Sequence, residues 1–355
     1  MIFSGFDQAM MARALALAEK GLFTTTPNPR VGCVIAQGNE IVGEGWHAKA
    51  GEPHAEALAF ARAGDRATGS TVYVTLEPCN HHGRTPPCTD LLLRHKPARV
   101  VMAMADPNPQ ASGGRARLEA AGIRVESGLM EDAANELNVG FVSRVTRGRP
   151  WVRMKVAATL DGRTALPDGR SQWITGPEAR RDGHRWRARA CAILTGIGTV
   201  KADDPQLTVR DVATPRQPLR VVVDSRAETP DGAKVLQGGN TLLFAGAPTP
   251  RQLPAEVVVL PNANGKVELP GMLEELGRRG INELHVEAGF KLNGSLVREG
   301  CVDEFLVYLN PSLLGDEAQG MVALAQAASL DARTRLRLVS VERVGDDIRI
   351  LARTS

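Results

Sequence analysis

The sequence has little aromatic surface, little net charge and no long apolar run. Its 355 residues include only two Tyr, eight Phe and four Trp, and 43 basic against 40 acidic side chains leave a net charge of +3. Enzymes that act on nucleic acid carry a basic stripe with interleaved aromatic side chains, and a membrane span needs roughly 20 apolar residues. We therefore expect no nucleic-acid or membrane partner.

Cysteines are also few. The five cysteines are odd in number and widely scattered, which fits a reduced, cytoplasmic compartment better than a disulfide framework. The N-terminal residues lead at once into an amphipathic helix, unlike a signal peptide. We therefore expect a cytoplasmic protein.

Length and patterning predict two α/β domains. A chain of this length can build two sizeable cores. In the first half, helices alternate with strands such as 71–76 and 99–104, which is typical of a layered α/β domain. The charged, breaker-rich segment 146–150 precedes a second alternation of strands and helices. We place the domains at residues 1–147 and 148–355.

The densest cluster of reactive side chains lies in the first half. His54, Cys79 and Cys88 offer one imidazole and two thiolates, three good zinc ligands that leave the fourth tetrahedral position for water. Zinc brings the pKa of such a water near neutrality, and Glu56 can carry its proton to a leaving amine. This set predicts hydrolytic deamination of an amino-heterocycle.

The local pattern supports that interpretation. Pro53 suits the first turn of a helix that continues through 57–61. A strand at 71–76 delivers the first cysteine, and Thr85 suits an N-cap with Pro86 at the first helical position. Both ligand groups then lie near helix N-termini, whose dipoles favour thiolates.

Two other interpretations of this cluster stay open. A structural zinc site usually recruits a fourth Cys or His, and His81 or His82 could serve. The cysteines could also be ordinary buried residues beside an accidental His-x-Glu. A fourth protein ligand, or side chains that point apart, would exclude the catalytic interpretation.

The second half predicts a largely parallel sheet. Apolar strands such as 220–223 are typical of a sheet covered on both faces. Segments 305–309, 336–341 and 348–351 predict antiparallel strands that close one edge. We expect a homo-oligomer, a dimer or a tetramer, and 305–309 is the candidate sheet-edge interface.

The second half lacks the sequence motif of a Rossmann nucleotide-binding site, because no Gly-x-Gly-x-x-Gly follows its first strand. Glycines appear instead at the strand ends 195–199 and 287–289. Such glycines let backbone amides approach a pyrophosphate. They could equally be ordinary loop glycines.

The motifs of the first half resemble a known family. Segments 28–32, 54–56 and 75–89 look like the deaminase domain of the bifunctional pyrimidine deaminase–reductases of riboflavin biosynthesis. Other zinc deaminases usually carry Pro-Cys-x-x-Cys, whereas here eight residues separate Cys79 from Cys88, as in this family. The resemblance implies a three-layer, cytidine-deaminase-like zinc domain.

By this resemblance, His54, Cys79 and Cys88 hold the zinc and Glu56 is the proton shuttle. The positions that match the family's substrate contacts are Asn28, His47, His81 and Arg84. Asn28 could instead be a turn residue and His47 a surface histidine at a strand end. This chain has Arg84 where the family often has a Lys. Either side chain can bind a phosphate, and Arg can do so through two hydrogen bonds at once.

The second half is similar to the reductase domain of the same family, which is dihydrofolate-reductase-like in fold and uses NADPH. The residues that carry the likeness are segments 155–163, 171–175, 198–205, 223–225 and 286–289. By resemblance, the ribosyl-phosphate substrate is held by Lys155, Ser171, Arg187, Leu207, Arg210 and Glu287. The NADPH site takes Ala157, Trp173, Thr199, Asp203, Ser225, Gly289, Phe290, Lys291, Leu292, Asn293, Gly294 and Ser295. Two alternatives remain: Arg187 as part of a solvated helix face, and Trp173 as core.

The resemblance implies two consecutive reactions on one phosphorylated pyrimidine. Zinc-dependent deamination removes the 2-amino group, and hydride from NADPH then reduces C1 of the ribosyl unit to give a ribityl chain. Lys155, Asp203 and Glu287 are candidates for the general acid of the second step. The alternative is a zinc deaminase of nucleosides or nucleic acid with a reductase-like domain of other use.

Overall fold

The computed structural model describes residues 3–83 and 86–354. The chain divides into two compact units, residues 1–147 and residues 148–355. Each unit is an α/β structure with its own sheet and its own buried core. Among the described residues, no helix is both long and apolar enough to span a membrane.

The first unit is built on five strands. Its elements are α1 (Gly5–Glu19), β1 (Gly32–Gln37), β2 (Glu40–Trp46), α2 (Ala55–Ala63), β3 (Thr71–Leu76), α3 (Cys88–His95), β4 (Arg99–Met104), α4 (Gly114–Ala120), β5 (Arg124–Ser127), α5 (Glu131–Leu137) and α6 (Val139–Arg147). The sheet order is β2-β1-β3-β4-β5, antiparallel around β1 and parallel from β3 to β5. The predicted layered α/β domain is confirmed.

Two glycines let helices of the first unit lie directly on strands. A Cβ on Gly32 would be 1.9 Å from the carbonyl oxygen of Ala14 on α1, and one on Gly45 would be 2.2 Å from that of Ala55 on α2. The two glycines face opposite sides of the β1–β2 ladder, so the helices form the outer layers of three. The close approach of α2 fixes its N-cap, His54.

The start of two predicted helices needs correction. The helix after Pro53 begins at Ala55, so this proline precedes the N-cap instead of occupying the first turn. The next helix begins at Cys88 with Pro87 as N-cap, so Pro86 is not helical. Thr85, the predicted N-cap, lies outside the described residues. His54 and Cys88 nevertheless lie at helix N-termini, as expected.

The second unit is built on a nine-stranded sheet. Its elements are β6 (Trp151–Thr159), β7 (Arg163–Ala165), α7 (Pro177–Arg189), β8 (Ala192–Gly196), α8 (Ile197–Asp203), β9 (Leu219–Val223), β10 (Thr241–Ala245), β11 (Glu256–Val259), α9 (Leu269–Arg278), β12 (Glu283–Val286), α10 (Phe290–Arg298), β13 (Glu304–Asn310), β14 (Gln319–Gly320), β15 (Leu336–Val344) and β16 (Asp347–Thr354). The order is β11-β10-β9-β8-β12-β6-β13-β16-β15, and β7 pairs separately with β14.

The strands from β11 to β13 run parallel, which confirms the predicted largely parallel sheet, and β13–β16 and β16–β15 are antiparallel. The prediction that 305–309 lies at a sheet edge is wrong. β13 pairs with β6 on one side and β16 on the other, so its backbone is already satisfied. The edge strand near the C-terminus is β15.

The two faces of this sheet differ in chemistry. On one face, α9 and α10 pack against an apolar layer that includes Met154 and Val286. On the other, under α7, the strands carry Arg153, Glu283 and Glu304, none more than 1% exposed. The Arg153 guanidinium donates to both carboxylates, to Glu283 over 3.0 Å. A buried charge needs such partners, so the interior under α7 contains a network of paired charges.

Candidate functional site

The first unit brings His54, Cys79 and Cys88 together. His54 Nδ1 lies 3.3 Å from Cys88 Sγ and 3.6 Å from Cys79 Sγ. Tetrahedral Zn–N and Zn–S bonds place such nitrogen and sulfur atoms about 3.5 Å apart, so the separations fit a zinc ion. Within the described residues, neither His81 nor His82 joins this group. The alternatives of a four-ligand structural site and of accidental cysteines therefore lose their support.

The surroundings of one thiol in this set, that of Cys79, favour the ionised form. The hydrogen bond from Cys88 lowers the pKa of the Cys79 thiol to about 4, assisted by His54, although burial opposes the shift. The backbone N–H of Cys88 also donates to Cys79 Sγ over 3.4 Å. Cys79 is therefore a thiolate at neutral pH, which is the form that binds zinc.

Glu56 lies in the first turn of α2, two residues after His54, and is 4% exposed. Burial raises the pKa of its carboxyl group, and the negative charge on Cys79 raises it further. A carboxyl group with an elevated pKa beside a metal site can take up and release a proton near neutral pH.

Sequence reasoning missed Glu77, which supports the cysteine turn. Its buried carboxylate accepts the backbone N–H groups of Asp106 (3.1 Å), Gly113 (3.1 Å) and Arg115 (2.9 Å). The segment around residue 114 therefore packs against Pro78, whose carbonyl oxygen would be 2.0 Å from a Cβ on Gly114. The available signal was a carboxylate directly before Pro-Cys, at the end of an apolar strand.

Two predicted substrate residues lie beside the metal ligands. Asn28 Nδ2 donates to His47 Nε2 over 3.0 Å, and the opposite ring nitrogen of His47 then donates to the Pro53 carbonyl oxygen over 3.1 Å. His47 is 3% exposed, and its ring centroid lies 5.4 Å from that of His54. The alternative of a surface histidine is therefore wrong. His81 is exposed, and Arg84 lies outside the described residues.

In the second unit, Lys155, Arg187 and Glu287 form one charged cluster. Arg187 Nε and Nη2 donate to the two carboxylate oxygens of Glu287 over 2.5 and 2.9 Å. Burial opposes ionisation of Glu287, yet Arg187 holds its pKa well below the usual range. Burial lowers the pKa of Lys155, against the field of Glu287. Arg187 is thus engaged, and the alternative of a solvated face is wrong.

The other predicted substrate residues are less tightly grouped. Ser171 is half-buried. Leu207 is 3% exposed with a left-handed φ of 51°, three residues before the exposed Arg210. Within the described part of the chain, the Arg210 guanidinium reaches only Gln206 and Thr208 on its own segment, so it is available to a ligand.

The predicted nucleotide residues lie on several elements. Residues 290–295 form the first turns of α10, whose N-cap, Gly289, makes no side-chain cap. A Cβ on Gly289 would lie 3.6 Å from Thr199 Oγ1 on α8, so the hydroxyl group and the open amides are close together. Such a donor set fits a pyrophosphate. Asn293 is buried in the same helix with Oδ1 unpaired among the described atoms.

The remaining nucleotide residues are dispersed. Ala157 is half-buried on β6, and Asp203 ends α8. Ser225, just after β9, accepts the N–H of Val267 over 3.1 Å. Trp173 is 70% exposed, with the Arg180 guanidinium 4.8 Å from its ring centroid. The alternative of a core tryptophan is therefore wrong.

Known proteins match both units and the whole chain. The family described as the cytidine and deoxycytidylate deaminase zinc-binding region matches residues 4–104, and the RibD C-terminal domain matches residues 150–350. The riboflavin biosynthesis protein RibD of Escherichia coli is 48% identical over 96% of this chain and 98% of its own. The chain belongs to the RibD family. The riboflavin biosynthesis protein RibD of Aquifex aeolicus is 41% identical over 96% of this chain and 97% of its own.

Solved RibD structures share the fold over the full length. An Acinetobacter baumannii RibD has a TM-score of 0.92 at 41% identity and covers 99% of both chains. A Thermotoga maritima diaminohydroxyphosphoribosylaminopyrimidine deaminase/5-amino-6-(5-phosphoribosylamino)uracil reductase has a TM-score of 0.90 at 32% identity and also covers 99% of both. As a member of the RibD family, the chain is a zinc-dependent deaminase and an NADPH-dependent reductase of riboflavin biosynthesis.

Proposed function

We propose that residues 1–147 carry the deaminase and residues 148–355 the reductase. The first acts on 2,5-diamino-6-(5-phosphoribosylamino)pyrimidin-4(3H)-one, and the second reduces the ribosyl group of its product to ribityl phosphate. The observation that carries the proposal is a cluster of one histidine and two cysteines beside a buried carboxylate. The chain that contains it aligns along its whole length with a Thermotoga protein named for both activities.

In the deaminase, His54, Cys79 and Cys88 would hold the zinc, which would supply Lewis-acid activation of water. Glu56 accepts a proton from the attacking water and donates it to the departing 2-amino nitrogen, so that ammonia leaves. The Asn28–His47 pair orients the pyrimidine base, because the Pro53 carbonyl group fixes the histidine ring. We assign His81 and Arg84 to the ribosyl phosphate.

In the reductase, NADPH supplies the hydride. The ring-opening step breaks the bond between C1 and the ribose ring oxygen, which must gain a proton while C1 gains the hydride. Lys155 is our candidate donor, because burial eases its deprotonation and Glu287 lies beside it. Arg187 orients Glu287, and Ser171, Leu207 and Arg210 contact the ribosyl phosphate.

The nicotinamide nucleotide would be held by residues that surround the N-terminus of α10. Gly289 to Ser295 offer backbone amides to its pyrophosphate, and Thr199 adds a hydroxyl donor. We assign Ala157, Trp173, Asp203 and Ser225 to the rest of the nucleotide.

The test is an assay of the purified chain with the phosphorylated diaminopyrimidinone, in which ammonia release and NADPH oxidation are followed separately. Glu56→Gln should abolish ammonia release while the chain still oxidises NADPH when the deaminated product is supplied. Ammonia release by Glu56→Gln at the wild-type rate would contradict the assigned proton shuttle. NADPH oxidation without that product would contradict the assigned order of steps.

We also propose that two copies associate through the β15–β16 surface, in the cytoplasm. β15 is the free edge of the sheet, and Leu338 and Val341 on it are 62% and 57% exposed. Apolar side chains on an open edge favour pairing with another chain. Leu338→Lys should convert a dimer into a monomer in analytical ultracentrifugation, whereas an unchanged sedimentation coefficient would exclude this interface.

A further inference from the structure

The segment Thr208–Arg210 is held in place by side chains from outside it. Thr208 O accepts from Arg187 Nη1 over 2.9 Å. Val209 N donates to Gln217 Oε1 over 2.8 Å, and Val209 O accepts from Gln217 Nε2 over 3.0 Å. Arg210 N donates to a ring nitrogen of His184 over 3.3 Å. All four of these backbone hydrogen bonds depend on side-chain identity.

Two of these side chains come from consecutive turns of α7. His184 and Arg187 are three residues apart, so they lie on the same side of the helix. Arg187 also forms the bidentate pair with Glu287 at the end of β12. One helix therefore sets the position of the charged cluster and of the 208–210 segment together.

The contacts of His184 define its tautomer. The ring nitrogen that faces Arg210 is Nδ1, and it must accept, because the backbone N–H can only donate. The hydrogen of the neutral ring is then on Nε2, which lies 3.5 Å from the Asp211 carboxylate. Only the neutral ring makes both contacts. A proton on Nδ1 would face the Arg210 N–H and abolish the first.

The surroundings keep the ring neutral. The charged groups that face it are Arg187 on its own helix, Arg210 at the end of the segment, Asp211 directly after it, and Glu287 just after β12. Burial lowers the pKa of His184 below 6.5, and the two guanidinium groups lower it further, while the two carboxylates oppose them. The acceptor form is therefore populated at neutral pH and is lost as pH falls through that pKa.

We propose that His184 is a positioning residue of the reductase site, which in its neutral form holds the backbone of Arg210 where that side chain meets the substrate's phosphate. The inference rests on the proposed function in assigning Arg210 to the substrate. Protonation of His184 frees the Arg210 backbone, so substrate affinity falls in acid.

The test compares His184→Asn with His184→Leu in the full chain. Asn can place an amide oxygen where Nδ1 accepts, whereas Leu cannot accept at all. At pH 7.5, His184→Leu should raise the KM for the phosphorylated substrate about five- to tenfold, the equivalent of one lost hydrogen bond. Its KM for NADPH and its kcat should change less than about twofold, and His184→Asn should stay near wild type.

The pH profile separates positioning from mere packing. The wild-type KM should rise as pH falls below about 6.5, whereas that of His184→Asn should follow only the titration of the substrate phosphate, whose second pKa is about 6. The two profiles should therefore diverge in acid. Identical profiles, or an unchanged KM in His184→Leu at pH 7.5, would overturn the proposal.

A second measurement does not depend on the assigned substrate. Hydrogen exchange at the Arg210 amide should quicken in acid, relative to the usual pH dependence of exchange, in the wild type and not in His184→Asn. Ammonia release by the same chains reports correct folding of the preparation. No NADPH oxidation in the wild type would refute the proposed function, while equal protection of the Arg210 amide in both proteins in acid would refute the role of His184.

Discussion

The two sites of this protein are built in different ways. In the first unit, the three metal ligands lie within 35 residues of one another in sequence, His54 to Cys88, and two of them are set by helix N-termini. In the second, Lys155, Arg187 and Glu287 come from β6, α7 and the end of β12. The first site depends on backbone geometry, and the second depends on pairs of side chains that are distant in sequence.

This difference predicts how each site responds to substitution. A ligand in the first unit acts through one atom, so its loss removes a function outright. A charged side chain in the second unit acts through partners, so its loss leaves another charge unsatisfied. Substitutions in one unit should therefore affect the reaction of that unit alone, and four experiments test this separation.

The largest effect is expected from Cys88→Ala. Ammonia release should fall by more than about a thousandfold, because two remaining ligands hold zinc poorly, while oxidation of NADPH with the deaminated product is kept. Metal analysis should show less than one zinc per chain. Cys301→Ala, which removes a buried thiol outside the cluster, is the control and should retain one zinc. Full zinc content in Cys88→Ala would contradict the assigned ligand set.

The next effect is expected from Glu287→Gln. Arg187 loses its bidentate partner and Lys155 loses a nearby negative charge. We therefore expect kcat/KM of the reductase to fall about a hundredfold, in line with the loss of one member of a buried charge pair. Ammonia release should be unchanged, and Glu299→Gln, at an exposed position, should leave both reactions unchanged. A parallel loss of ammonia release would contradict the expectation that a substitution in one unit affects the reaction of that unit alone.

A smaller effect is expected from Glu77→Gln. An amide presents one acceptor oxygen where the carboxylate presents two, so at least one of three backbone N–H groups loses its partner. The free energy of unfolding should fall by about 1–3 kcal/mol, measured by urea denaturation, and ammonia release by about tenfold. Glu119→Gln removes an exposed partner of Arg115 and should change neither. Equal effects in both variants would exclude a supporting role for Glu77.

The smallest effect is expected from Gly183→Ala in the middle of α7. Apart from the neighbouring residues and the backbone of α7 itself, no described atom lies within 4 Å of the added Cβ, so the helix should gain about 0.5–1 kcal/mol in stability. Reductase activity should stay the same, as measured by initial rates. A loss of reductase activity would mean that the position of α7 beside His184 is sensitive to a methyl group at residue 183, although there is room for it.

Sequence reasoning reached the compact site more readily than the dispersed one. His54, Glu56, Cys79 and Cys88 form a motif whose spacing is visible along the chain, and the structure brings the three ligands together. The predicted strands 71–76 and 99–104 have the bounds that the structure shows, because an apolar run between turn residues is a local signal.

The errors and omissions have a common physical origin. The strand 305–309 was taken for an edge because its apolar pattern does not reveal its neighbours, which lie about 150 and 45 residues away along the chain. Arg153 meets Glu283 and Glu304 across 130 and 151 residues. His184 likewise acquires its role only from a fold that places Arg210 beside it.

The buried Arg153 network also constrains how this protein can change over generations. Replacing Arg153 by an apolar residue leaves two buried carboxylates with only their outer partners, Arg189 and Arg353. Breaking a buried charge pair in this way costs about 3–5 kcal/mol, a large part of the stability of a typical domain. An entirely apolar version is physically reasonable, yet each intermediate on the way to it is penalised. The charged layer under α7 should therefore persist or be exchanged as a set, while the apolar layer opposite can drift one residue at a time.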